Sequence, residues 1–187
     1  MLTTEKIEAE RKAISEIQIP PITPKQPEKW GATVVKKEST EQIVLSVSAG
    51  KTLSIVENTY IHAHPVKSSY NYRDTDFITF RQDGGGAMNH VYKIAKTVLI
   101  NMWEWQEMIQ QIELSIEEKA RLTDYITSRL AGFNFTLSLT YKFYLLEDYI
   151  DLPNTPKPTP KNSPSERYYR LESLIKSTGL VKTLSKE

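Results

Sequence analysis

Across residues 133–145 the chain alternates apolar and polar side chains. Phe133, Phe135, Leu137, Leu139, Tyr141, Phe143 and Leu145 face off against Asn134, Thr136, Ser138, Thr140 and Lys142. Successive side chains of a strand point to opposite faces, so a period of two predicts one long strand with one buried face, bent or bulged where it wraps a core. Shorter β-rich runs precede it at 32–35, 43–47, 52–56 and 59–63, with Ser48-Ala49-Gly50-Lys51 as a tight connection between the second and third. Residues 76–81 and 90–94 flank Asp83-Gly84-Gly85-Gly86, which reads as a hairpin whose glycines supply positive φ. The same glycines are no Walker loop, because no Gly-Lys-Ser/Thr follows and strands flank them.

Two helices are expected between the hairpin and the long strand. Asn101 and Glu104 stand at capping spacing before Trp105, Met108, Ile109 and Ile112, which recur at i, i+3, i+4 and i+7. Ser115-Ile116-Glu117-Glu118 is a full capping box for a second helix with Leu122, Ile126 and Leu130 inward and Gly132 past its end.

Prolines divide the chain. Residues 4–17 read as a charged helix with Ile7, Ala13, Ile14 and Ile17 as a thin apolar stripe; Pro20, Pro21, Pro24 and Pro27 then hold the chain extended to Trp30. A second strap carries Pro153, Pro156, Pro158, Pro160 and Pro164, followed by a short helix with Leu171, Leu174 and Ile175 that ends near Gly179 and anchors the tail. The expected organisation is an N-terminal helix and strap at 1–30, an α+β core at 31–152, and a strap with an anchoring helix at 153–187. The N-terminal helix either packs on the core or takes a protein partner.

Composition removes several function classes. With no cysteine in 187 residues there are no disulfides and no thiolate zinc site. A cytoplasmic home is expected, since the first residues also lack the apolar stretch of a secretory signal. No apolar run approaches the ~20 residues of a membrane-spanning helix. Twenty-four basic against 23 acidic side chains deny the chain the overall basic character of a duplex-coating protein. No G-x-S-x-G is present for a serine hydrolase.

The residues left for chemistry are few. His62 and His64 are two apart and share a strand face, and His90 follows the glycine loop. With Asp74 or Asp76 they could hold a metal; with Asp76 they could form an acid–base set; or the imidazoles simply sit at strand ends. Residues 64–76 are polar, carry Tyr70 and Tyr72, and include Lys67 and Arg73. Tyrosines interleaved with cations can stack a base and take phosphate, whereas a plain surface loop would use the same tyrosines as a cover. Arg81 extends the basic patch. Trp103 points away from the apolar stripe that holds Trp105, so it is either exposed or the roof of a pocket.

The stretches Phe77-Ile78-Thr79-Phe80-Arg81, His90-Val91-Tyr92-Lys93-Ile94 and Lys142-Phe143-Tyr144-Leu145-Leu146, with Asp151-Leu152-Pro153, resemble the PUA-like group that includes ASCH-, EVE- and YTH-type domains. The ASCH signature Gly-x-Lys-x-x-x-Glu is absent. The resemblance implies a compact mixed β-barrel or strongly curved sheet with a two-helix insertion and terminal extensions. It further implies recognition of a nucleobase or nucleic acid at the barrel mouth, with Tyr70, Tyr72 and Trp103 as the aromatic cage, in the setting of a prokaryotic defence or RNA-related system. A binding module without cofactor therefore ranks ahead of a small nucleic-acid-processing enzyme using His62, His64, His90 and Asp76, and ahead of a protein–protein adaptor.

Overall fold

A computed structural model describes residues 42–83, 86–132, 135–159 and 167–184. The expected N-terminal helix and strap, the strand at 32–35 and parts of both glycine- and proline-rich stretches lie outside the described residues. The described elements are β1 (Ile43–Ser48), α1 (Leu53–Thr59), β2 (Ile61–Pro65), β3 (Phe77–Arg81), β4 (Met88–Asn101), α2 (Trp105–Gln111), α3 (Ile116–Leu130), β5 (Thr140–Asp151), β6 (Lys157–Thr159), β7 (Arg167–Arg170), α4 (Leu171–Ile175) and β8 (Leu180–Lys182). Six strands form one mixed sheet in the order β2-β5-β4-β3-β1-β7, in which β1 and β3 run parallel; β6 and β8 pair separately.

The α+β class is as the sequence implied. A closed barrel is not formed among the described residues, because the sheet ends at β2 and β7. It is nevertheless strongly curved. Two strands separate β2 from β3, a lateral distance of about 14 Å in a flat sheet. Yet the rings of His62 on β2 and Phe80 on β3 have centroids 5.2 Å apart. Three register shifts help the sheet bend, one between β3 and β4 and two between β4 and β5.

β1 is buried on both faces over Val44–Val47, which explains its near-continuous apolar sequence. Leu45, Val47, Ile78 and Phe80 belong to the larger core, which takes in Leu122, Tyr125 and Ile126 of α3 and Ile109 of α2. Val44, Val91 and Tyr169 belong to a second core on the opposite face, closed by Leu152, Leu171, Leu174 and Val181 of the C-terminal tail. The tail folds back through Leu171 and Leu174, while Ile175, expected beside them, is exposed; the tail also adds β7 to the sheet edge beside β1.

Three sequence expectations are corrected. Residues 52–56 were expected as a strand; Thr52 instead caps helix α1, and Leu53–Val56 are its first turn. β1 and β2 lie at positions four apart in the sheet, so the chain must travel between them; Leu53, Val56 and Tyr60 then fall at i, i+3 and i+7 toward the core, and this burial overrides β-branched propensity. Tyr60, at φ 54°, ends the helix in the left-handed conformation. The long strand runs Thr140–Asp151 rather than over 133–145. Phe135 is buried against Tyr141 at 4.2 Å but stands outside the strand, and Phe143, Tyr144, Leu145 and Leu146 are all buried, so alternation stops where both faces are covered. Asn101 is the last residue of β4, not a helix cap; its Oδ1 accepts from the Trp103 amide. The hairpin and the capping box form as expected, with Ser115 and Glu118 bonded reciprocally.

Candidate functional site

The curvature of the sheet creates a concave interior, and its lining is unusually polar and aromatic. The register sets β4, β5 and β2 side by side in rows: Thr97, Tyr144 and His62; then Leu99, Lys142 and His64. Two imidazoles one row apart therefore look into the same hollow side, as their i, i+2 spacing predicts.

His64 is buried and firmly oriented. Its Nδ1–H donates to the Pro65 carbonyl at 3.1 Å, which leaves Nε2 to accept from the Tyr144 hydroxyl at 3.3 Å. Tyr70 stacks on this imidazole at 5.6 Å and 20°, and Tyr72 packs on it at 4.5 Å. Burial, together with the cationic Lys142 nearby, lowers the pKa of His64, against a raising contribution from the Pro65 hydrogen bond. His62 lies deeper, between Phe80 and the parallel ring of Tyr144 at 6.2 Å. Burial pushes its pKa down to about 3, with His64 and Arg129 adding repulsion, so it is a neutral imidazole at any physiological pH. Its Nδ1 is buried without a partner among the described residues. Tyr144 is held protonated well above the usual phenol range, chiefly by burial.

The segment 66–76 closes over one side of this interior. Val66 N–H donates to the Thr140 carbonyl, Arg73 N–H donates to the Tyr168 hydroxyl at 2.8 Å, and Lys142 Nζ reaches Asp74 at 3.0 Å. The Arg73 guanidinium lies over the Tyr168 ring at 5.3 Å and Lys142 Nζ over Tyr144 at 5.5 Å. Lys67 and Arg73 are exposed, Tyr72 is half-buried, and Tyr70 is 38% exposed.

The predicted site residues do not all meet. Lys67, Tyr70, Tyr72, Arg73 and the His62–His64 pair belong to one neighbourhood. Arg81 does not: it is buried on the opposite face of the sheet and donates to the Ser46 carbonyl at 3.1 Å. Trp103 is 77% exposed in the turn after β4. His90 pairs with Asp151 at 2.9 Å, beside Tyr92 and Tyr149 rather than beside His62 or His64. Asp76 is exposed near Lys93, and its carbonyl accepts from Ile94. Among the described residues no group of three His, Asp or Glu side chains is placed to hold a metal ion.

Tyr144 and Lys142 line the same neighbourhood and were not expected there, whereas Asp74, expected as a metal ligand beside the histidines, pairs with Lys142 instead. Tyr144 sits where strict alternation predicts a solvent-facing residue, and only the β2–β5 register brings it to His62. No family profile, curated protein or solved structure matches this chain.

Proposed function

We propose that the chain is a nucleic-acid- or nucleotide-binding module, in the manner the PUA-like resemblance implies, and that Tyr70 is its stacking platform. The observation that carries this reading is the Tyr70 ring, stacked on His64, met at its edge by Tyr72 and still 38% exposed, on a segment that also carries Lys67 and Arg73 and is tied through Asp74 to Lys142. A base laid on an aromatic face gains about 1–3 kcal/mol, and cations flanking the ring serve the phosphates. The neighbouring exposed Leu99, in the row of Lys142 and His64, extends the apolar floor.

Titrating a fluorescent single-stranded oligonucleotide of about ten nucleotides, as RNA and as DNA, tests the reading by anisotropy. Tyr70→Ala is expected to weaken binding by roughly 5- to 150-fold, the range set by one stacked base. Its exposure keeps folding intact, which Tyr72→Ala would not guarantee. Wild-type affinity in Tyr70→Ala, or no binding by the unmodified protein, overturns the reading.

A further inference from the structure

Away from Tyr70, strands β4 and β5 build a second cluster that the binding reading does not use. Their register sets His90 opposite Asp151 and Tyr92 opposite Tyr149. The Tyr149 ring meets the His90 imidazole nearly edge to face at 4.7 Å, and Asp151 Oδ1 lies 2.9 Å from Nδ1. A bulge brings both side chains there: the register shifts between Tyr92 and Lys93, and Asp148 takes a φ of 29°, rare for a residue with a Cβ. Bulges of this kind re-aim side chains beside functional sites. His90 also lines a small hollow with Leu53 and Glu57 of α1 and with Phe80, Gln82, Asn89 and Tyr92; its free volume of about 10 Å³ fits one water or one hydroxyl. An imidazole held by a carboxylate thus shares a hydroxyl-sized hollow with a second carboxylate and two amides.

We propose that this hollow is an acid–base site that cleaves single-stranded RNA by transesterification, an inference that rests on the nucleic-acid reading above. The lining offers proton acceptors and donors but no serine, cysteine or lysine as a nucleophile, and burial holds its one phenol, Tyr92, protonated. Such a set suits a substrate that brings its own nucleophile, and the ribose 2′-hydroxyl is one. The Glu57 carboxylate takes the 2′-OH proton as that oxygen attacks the adjacent phosphorus. The P–O2′ bond forms, the P–O5′ bond breaks, and the departing 5′ oxygen receives a proton from the protonated His90 imidazole. The products are a 2′,3′-cyclic phosphate and a 5′-hydroxyl, and exchange with water restores both groups. Asp151 is a positioning residue: by accepting from Nδ1–H it leaves Nε2 as the nitrogen that exchanges the proton. The amides of Gln82 and Asn89 donate to the phosphoryl oxygens.

The test incubates the full chain, in EDTA, with a labelled single-stranded RNA and its DNA counterpart, beside identically purified variants. RNA is expected to be cut to cyclic-phosphate ends and DNA left intact. His90→Ala and Glu57→Gln are each expected to lower the rate at least about 100-fold, the usual contribution of a general acid or base. Asp151→Asn is expected to lower kcat with KM unchanged, while Tyr70→Ala raises KM. Cleavage that persists in His90→Ala or Glu57→Gln overturns the proposal. RNA bound but uncut overturns this inference alone; RNA neither bound nor cut overturns the binding reading with it.

Discussion

At the residue scale the decisive contrast is between the histidines. His62 and His90 are the same side chain in one sheet, but one is dry and near the Arg129 cation while the other is partly exposed on a carboxylate. For His62 the consequence is a pH-dependent stability. Its folded pKa, about 3, lies below the ordinary value of 6.5, so the unfolded chain takes up a proton that the folded chain refuses. The stabilisation is complete above pH 6.5 and falls with pH through the window down to about 3, by about 1.4 kcal/mol for each unit. Carboxylates titrate in the same window, so the comparison must be between proteins. His62→Phe keeps a ring against Phe80 and Tyr144 and removes the unpartnered Nδ1 together with the proton uptake. Urea midpoints at pH 7.5 and 4.5 should therefore drop less for the variant than for the wild type; equal drops would show that His62 does not titrate on unfolding.

At the scale of elements, the sheet edge at β2 is satisfied by a side chain from a helix. The Ala63 amide donates to the Tyr125 hydroxyl at 3.1 Å, and the same hydroxyl accepts from Arg129 at 2.8 Å. Tyr125 is fully buried, so Tyr125→Phe leaves two donors without their acceptor and is expected to cost about 1–3 kcal/mol in chemical denaturation. Ser115→Ala, at the cap of the same helix, should cost about 1 kcal/mol and leave the β2 edge untouched. The two variants separate what was legible from what was not. The capping box of α3 is a local pattern, and the sequence carries it within four residues. The role of Tyr125 depends on a partner 62 positions away. The same reason explains α1: Thr52, Leu53, Ser54, Ile55 and Val56, its cap and first turn, satisfy strand propensity locally, and only the distance between β1 and β2 in the sheet makes the segment helical.

At the scale of the whole molecule, the α+β class could be read ahead of the structure, because it rests on composition and short spacings. The membership of the site could not, because curvature decides it. Curvature folds β2 toward β3 and puts Tyr144 on the inside, while the face alternation of β3 sends Arg81 to the other core. On the binding reading proposed above, that redistribution sets the electrostatics. With 24 basic and 23 acidic side chains the protein exerts no strong long-range pull on a polyanion, so that reading assigns the phosphate contacts to Lys67, Arg73 and Lys142, the last exchanging Asp74 for a phosphate. Each neutralised phosphate of a single strand contributes about −0.7 to the slope of log affinity against log salt, which sets the slope here near −2. Lys67→Ala should flatten it by about 0.7 at unchanged fold, whereas Arg81→Ala should leave the slope alone and lower stability by exposing the Ser46 carbonyl to an empty buried site. Anisotropy titrations at 50–300 mM salt measure both; a slope well beyond −2, or one that responds to Arg81, would place the nucleic acid on the opposite face of the sheet.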